Sequence, residues 1–185
     1  MAMIDSRPAD RTFTVKSKDG LTIFFQRWGK DTVTDGAKVL LVVHGISEHG
    51  GRYGHIQSGL GKTFEQVYAL DLRGHGRSQG TRGHAESVDQ YVEDVLSVAR
   101  EIKSFVPRAQ LVLMAHSMGG LVALRLLQKE RENPFFAAAV FSAPFLGMKI
   151  KVPDWKMYVG KMLYRTLPKV QMASEVNPNH LAHDP

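Results

Sequence analysis

Residues 111–120 constrain this chain more than any other stretch of it. They read Leu-Val-Leu-Met-Ala-His-Ser-Met-Gly-Gly, so that an apolar run stops at Ser117 and a helical pattern begins directly afterwards. A serine on so sharp a strand-to-helix turn has a strained backbone, and the residues two before and two after it must be small. Gly119 meets this requirement, and Ala115 replaces the first glycine of the G-x-S-x-G pattern. The pattern predicts a turn that presents the Ser117 hydroxyl as a nucleophile.

Strands and helices alternate along the rest of the chain. A pair of runs around an Asp-Gly turn predicts a hairpin, and four short runs rich in valine, leucine and alanine predict buried parallel strands. The hairpin strands are 12–16 and 21–28, and the buried strands are 39–43, 67–70, 111–115 and 137–141. Apolar residues at helical spacing predict helices over 87–106 and 121–127, with a capping box of Ser87 and Gln90 at the start of the first. This alternation predicts the α/β class, with a mostly parallel sheet and helices on both faces.

Composition limits where the protein works and what it binds. The chain has 185 residues, of which 43% are hydrophobic and 23% charged, as is typical of one globular domain. No run approaches the ~20 apolar residues that span a bilayer, and the polar N-terminus does not resemble a secretory signal. The absence of cysteine excludes disulfides and thiolate metal sites and fits a reducing compartment. We therefore expect a cytoplasmic protein.

The formal charge of +6 favours anionic partners, but no nucleic-acid-binding motif accompanies it. Histidines at helical spacing with a supporting carboxylate are also missing from the sequence, so we expect no metal site. The chain is thus expected to need no cofactor and to bind no nucleic acid. Its oligomeric state is left open.

A serine nucleophile needs donors for the negative oxygen that develops on the attacked carbonyl group. The N–H of Met118 follows Ser117 at a helix N-terminus, where unpaired amides favour negative charge. A second donor should come from the loop after an earlier strand. Strand 39–43 is followed by His44, Gly45 and Ile46, and the N–H of Ile46 is the natural candidate.

Five motifs occur in order along the chain: HGISEHGGRY from His44, DLRGHGRS from Asp71, GTRGH from Gly80, AHSMGG from Ala115 and SAP from Ser142. From about residue 21 onwards the chain resembles the monoacylglycerol lipase and lysophospholipase branch of the α/β-hydrolases, of the serine aminopeptidase S33 type. The resemblance implies an α/β-hydrolase fold and the hydrolysis of lipid monoesters.

By the same resemblance Ser117 is the nucleophile and Ile46 with Met118 forms the oxyanion hole. Glu48 and Arg52 would lie near the pocket for the alcohol part of the substrate. Residues 1–147 would form the N-terminal part of the hydrolase core, and residues 148–185 would begin a helical cap, or lid.

One departure from the family is large. There the triad acid and histidine follow the cap, in the order Ser, Asp, His, and neither is present here by motif match. We therefore expect a C-terminally truncated chain that lacks the last strands of the sheet. A rearranged triad, in which His180 or His183 follows Asp154, is the less favoured alternative.

The other histidines are expected to build loops. His44 and His75 each precede a glycine in a tight loop, and we expect both to hold those loops by hydrogen bonds together with Gly45 and Asp71. Asp71 is expected to do so through an Asx-type bond to the turn that follows it. His116 adjoins the nucleophile, but on such a turn its ring should point away from Ser117.

The predicted cap has an apolar face and a basic character. Apolar residues recur there at helical spacing, namely Trp155, Tyr158, Val159, Met162 and Leu163. This face fits a helix packed on the body of the protein, and it also fits a lid whose lysines make peripheral contact with a membrane surface. The two interpretations are compatible.

Three functions remain open at this stage. The leading one is a serine hydrolase that cleaves lipid monoesters through an acyl-enzyme intermediate, with a small lipid ester as its partner. The second is a short-chain esterase or peptidase of the same fold. The third is a non-catalytic fragment, since the missing strands would leave an exposed sheet edge.

Overall fold

The computed structural model describes residues 7–132 and 134–147, and it places six strands of this part of the chain in one sheet. The strands are β1 (Arg11–Lys16), β2 (Thr22–Gly29), β3 (Lys38–Val43), β4 (Gln66–Leu70), β5 (Gln110–His116) and β6 (Ala138–Ser142). Each begins and ends within one residue of its prediction. The run patterns located the strands because each strand is short and bounded by turn residues. The predicted burial was wrong for β6, which is the last strand in the sheet order and has Val140 49% exposed.

The sheet has the order β1-β2-β4-β3-β5-β6. The pairs β1–β2 and β2–β4 are antiparallel, whereas β4–β3, β3–β5 and β5–β6 are parallel. β3 lies between β4 and β5, and its Val42 pairs with Ala69 on one side and Met114 on the other. The loops after β3, β4 and β5 therefore leave the same edge of the sheet, where the site described below is located.

Helices pack on both faces of this sheet. They are α1 (His55–Leu60), α2 (Val88–Phe105) and α3 (Met118–Lys129), and a 3₁₀ turn (Gly50–Tyr53) precedes α1. The α/β class and the mostly parallel sheet are thus confirmed. The 3₁₀ turn and α1 were not predicted, because glycines at 50, 51, 54, 59 and 61 interrupt any helical pattern there.

The predicted capping box at the start of α2 was wrong. Ser87 occupies the N-cap position with an extended backbone, but its hydroxyl makes no capping hydrogen bond. The side chain of Gln90 reaches one residue further back, and its Oε1 accepts the N–H of Glu86 at 2.9 Å. The side chain of Gln90, rather than that of Ser87, therefore bonds the main chain just before the helix.

Alternate residues of β3 enter two different cores. Val39, Leu41 and Val43 pack in the larger core with α2 and α3, and Leu40 and Val42 pack in the smaller core with α1 and the 3₁₀ turn. All five side chains are at most 1% exposed. Burial of one such side chain contributes about 1.5 to 3 kcal/mol, so β3 is a rigid base for the loop that follows it.

A buried ion pair joins the loop after β4 to α2. The Arg73 guanidinium donates to both oxygens of Asp94, at 2.8 Å from Nε and 2.7 Å from Nη2. Arg73 is 3% exposed and Asp94 is fully buried. Ser17 and Asp19, from the turn between β1 and β2, also bond this pair, at 2.6 and 2.7 Å. Burial acts to lower the pKa of Arg73, but the two carboxylates outweigh it and raise that pKa.

Candidate active site

Ser117 lies at the sharp turn between β5 and α3 with φ of 50° and ψ of −116°. This conformation is unusual for a residue with a side chain and costs on the order of 1–3 kcal/mol. The surrounding main chain holds it in place. The Ser117 N–H donates to the carbonyl of Ser142 at 3.1 Å, and its carbonyl accepts the N–H of Phe145 at 2.9 Å. The predicted strained turn is thus present in the structure.

The turn requires glycine at position 119. A Cβ atom there would lie 2.5 Å from the carbonyl oxygen of Val43 and 2.6 Å from that of His44. The first turn of α3 therefore abuts the end of β3 directly. Position 115 is tight as well, since Ala115 is fully buried. This contact brings the serine turn next to the loop that follows β3.

The loop after β3 passes directly beside the serine. A Cβ atom on Gly45 would lie 3.0 Å from the Cβ atom of Ser117. Ile46 follows with a side chain that is 65% exposed, and Ser47 has a positive φ of 59°. Met118 begins α3 on the other side of Ser117. The two segments that carry the predicted oxyanion donors therefore meet at the serine.

Glu48 is bonded into this loop on all sides. Its Oε1 accepts the N–H of Gly45 at 2.6 Å and the hydroxyl of Tyr53 at 3.0 Å, and its Oε2 accepts Arg52 Nη1 at 3.0 Å. The Glu48 side chain is 9% exposed, whereas that of Arg52 is 53% exposed. Burial, followed by the nearby Glu48 charge, raises the pKa of Tyr53. Tyr53 is the last residue of the HGISEHGGRY motif. Its bond to Glu48 could not be predicted from the sequence, because the 3₁₀ turn that places Tyr53 beside Glu48 was not predicted.

His44 connects the same loop to the loop after β4. Its Nδ1 lies 2.6 Å from the carbonyl oxygen of Gly45, and its Nε2 accepts the N–H of Leu72 at 3.0 Å. The second bond requires an unprotonated Nε2, so the proton is on Nδ1 and is donated to Gly45. Burial lowers the pKa of His44 to about 4. His44 is therefore neutral at neutral pH, with both nitrogens engaged.

Asp71 and His75 are bonded within the loop after β4. The Asp71 carboxylate accepts the N–H of Gly50 at 2.7 Å and that of Arg77 at 2.8 Å. The latter spans the whole Arg73–Gly76 turn, so the expected Asx-type bond to the start of that turn is replaced by a wider one. His75 Nδ1 lies 3.0 Å from the carbonyl oxygen of Arg73. The bond from Gly50 joins this loop to the one after β3, and the other two bonds hold the loop itself.

Within residues 7–132 and 134–147, no histidine ring bonds the Ser117 hydroxyl. His116 is its neighbour in sequence, but its Nδ1 lies 3.1 Å from the carbonyl oxygen of Ser142 and so faces β6. Asp154, His180, His183 and the whole predicted cap, 148–185, lie outside the described residues. The same described part of the chain has no cluster of three metal-binding side chains and no helix both long and apolar enough to cross a membrane.

A mostly parallel sheet whose carboxyl edge carries a strained serine turn defines the class of the α/β-hydrolases. The family model described as serine aminopeptidase, S33, matches residues 34–185. The chain belongs to this family, in agreement with the motif resemblance.

Curated relatives with similar sequences include two lipases. The monoacylglycerol lipase of Mycolicibacterium smegmatis is 30% identical over 183 residues, which cover 99% of this chain and 63% of that protein. The human monoglyceride lipase is 32% identical over 154 residues, which cover 83% of this chain and 50% of the lipase. The chain thus spans about half to two thirds of the length of these relatives.

Solved structures show the same similarity. The crystal structure of Paleococcus ferrophilus monoacylglycerol lipase superimposes with a TM-score of 0.69 and 31% sequence identity. The match covers 88% of this chain and 58% of that one. Fold and sequence therefore agree on the same group of relatives.

Proposed function

We propose that this chain provides the nucleophile and the oxyanion-binding loop of a serine hydrolase that cleaves carboxylic esters of lipids, of the monoacylglycerol or lysophospholipid type. The observation that carries the proposal is the Ser117 turn, with φ of 50° at the end of β5 and Gly45 packed against it. Such a turn costs free energy and is found where a side chain must be presented to a substrate.

In the proposed reaction the Ser117 Oγ attacks the ester carbonyl carbon while a general base takes the hydroxyl proton. The electron pair of the carbonyl bond moves to its oxygen, which the N–H groups of Ile46 and Met118 stabilise. When this intermediate collapses, the ester C–O bond breaks and the alcohol leaves with the proton. Water then attacks the acyl-enzyme by the same route and releases the fatty acid. The base is a histidine that the described residues do not place at Ser117.

Exposed apolar side chains near Ser117 support the proposal that the substrate carries a fatty acyl chain. Ile46 is 65% exposed, Phe145 is 41% exposed and Leu146 is 72% exposed. Gly45 and Phe145 both touch Ser117, so these side chains lie on segments that border the nucleophile. An apolar rim of this kind favours fatty acyl groups over charged ones. The names of the relatives, monoacylglycerol lipase and phospholipase, point to the same substrates.

The exposed guanidinium of Arg52 is available to the alcohol part of the substrate, with Glu48 beside it.

Peripheral contact with an anionic membrane surface fits the net charge of +6. Pelleting with anionic vesicles, weakened by rising salt, would support this contact, and salt-independent or absent pelleting would contradict it.

A peptidase is the second candidate, because the matching family model is described as a serine aminopeptidase. Two assays separate the candidates. A fluorophosphonate probe should label the protein at Ser117, and Ser117→Ala should abolish the labelling. A series of p-nitrophenyl esters should show kcat/KM rising with acyl length for a lipid esterase, and aminoacyl amides should be cleaved for a peptidase. A protein that neither labels nor turns over any of these substrates would be non-catalytic, and the proposal would fail.

A further inference from the structure

Both polar groups of the Gly45 backbone are held by side chains of the same loop. Its N–H donates to Glu48 Oε1 at 2.6 Å, and its carbonyl accepts from His44 Nδ1 at 2.6 Å. Glycine is the residue with the largest backbone freedom, and here the peptide groups on both sides of it are fixed. Two neighbouring side chains thus remove the flexibility that this position would otherwise have.

The second of these bonds sets the direction of the Ile46 N–H. The Gly45 carbonyl and the Ile46 N–H belong to one planar trans peptide group and point in opposite directions. When His44 holds the carbonyl, the N–H is aimed to the other side of that plane. The bond from Glu48 holds the preceding peptide group, that of His44 and Gly45. The two bonds together restrain rotation of the Gly45–Ile46 peptide about the Gly45 backbone.

Each of the two side chains is itself anchored. His44 is fully buried and is held by the N–H of Leu72 in the loop after β4. Glu48 is held by the Tyr53 hydroxyl and by Arg52. Side chains fixed in this way can orient a donor before the substrate arrives, which is what electrostatic preorganisation requires.

We propose that Glu48 and His44 are positioning residues, which hold the Gly45–Ile46 peptide so that its N–H is aimed at the developing oxyanion. This inference rests on the proposed serine hydrolase function. It differs from a role of Glu48 in binding the alcohol group, because a positioning residue acts on every ester, whatever its alcohol.

Two substitutions of Glu48 separate the carboxylate's position from its charge. Glu48→Asp keeps the charge but is one methylene too short to reach the Gly45 N–H. Glu48→Gln loses the charge and the acceptor for Arg52, but it keeps one oxygen that accepts this N–H and the Tyr53 hydroxyl. Glu65→Ala is the matched control. Glu65 also accepts a main-chain N–H and a hydroxyl, both from Thr34. It lies just before β4, at the amino ends of the parallel strands, whereas Ser117 lies at their carboxyl ends.

The experiment measures kcat and KM for two esters of the same fatty acid, a monoacylglycerol and an ethyl ester, together with the unfolding midpoint of each variant. We expect Glu48→Asp to lower kcat about 10- to 100-fold on both esters, with KM changed less than about twofold. Glu48→Gln should remain within a few-fold of the unsubstituted protein. Glu65→Ala should leave kcat unchanged.

Other results would overturn the inference. Loss of activity only on the monoacylglycerol, through KM, would assign Glu48 to alcohol binding. A Glu48→Gln variant as impaired as Glu48→Asp would show that charge matters rather than position. If Glu48→Asp does not fold, a poorly active but folded Glu48→Gln still refutes the inference, whereas a fully active Glu48→Gln supports it. Failure of the hydrolase proposal itself is distinguishable, because the unsubstituted protein would then not be labelled at Ser117.

Discussion

Asp94→Asn removes the negative charge that faces Arg73 inside the protein, and it tests how the loop after β4 is held. Arg73 is 3% exposed and Asp94 is fully buried, so among residues 7–132 and 134–147 the remaining guanidinium would keep only Asp19 as a charged partner. Loss of one member of a buried pair typically costs about 3–5 kcal/mol. Asparagine can still accept one hydrogen bond and Asp19 still compensates in part. We therefore expect a loss of about 3 kcal/mol in the free energy of unfolding.

The assay is urea unfolding followed by circular dichroism at neutral pH. The matched control is Asp89→Asn, the same change on the same helix, because Asp89 also pairs with an arginine, Arg125. That pair is exposed, at 44% and 46%, and its loss should not shift the midpoint measurably. An Asp94→Asn midpoint no lower than that of Asp89→Asn would show that the buried pair does not stabilise the fold, and the reasoning would be wrong.

Three further predictions concern the serine turn and its neighbours. Gly119→Ala places a Cβ atom 2.5 Å from the Val43 carbonyl oxygen, so it should lower the free energy of unfolding by about 1–3 kcal/mol and abolish fluorophosphonate labelling. The control Gly59→Ala, where nothing lies within 4 Å of the added Cβ, should be neutral or stabilising. Equal unfolding midpoints for the two variants would contradict this. Ser117→Gly should be about 1 kcal/mol more stable to urea than Ser117→Ala, because glycine adopts a φ of 50° without strain; an equally stable pair would mean that the turn is unstrained. For His44, the folded pKa of about 4 lies below the ordinary 6.5, so below pH 6.5 the unfolded chain binds a proton that the folded protein excludes. The contribution of neutral His44 to the free energy of unfolding, about 3 kcal/mol, should therefore be present above pH 6.5 and lost as the pH falls to 4. The urea midpoint should fall less steeply with decreasing pH in His44→Gln than in the unsubstituted protein, and an equally steep fall would refute this.

The parts of the fold that follow from local patterns could be predicted from the sequence. Four strands were found because each is a short apolar run, and β1 and β2 were found because an Asp-Gly turn joins them. The Ser117 turn was found because a strained backbone restricts its neighbours to small residues, as Gly119 shows. These features depend on residues close together in the chain.

The contacts that could not be predicted join residues far apart or depend on unrecognised local geometry. Arg73 and Asp94 meet only because the loop after β4 lies against α2. The bond from Glu48 to the Gly45 N–H depends on how the loop folds back beside a 3₁₀ turn whose glycines hide it. The capping box failed for a related reason, since Gln90 had a second main-chain N–H, that of Glu86, within its reach.

The proposed oxyanion donors can be tested most directly by a crystal structure of the protein after phosphonylation of Ser117. We expect the phosphoryl oxygen to lie about 2.7–3.1 Å from both the Ile46 and the Met118 main-chain nitrogens. A phosphoryl oxygen that contacts neither nitrogen, or a probe attached to a residue other than Ser117, would contradict it.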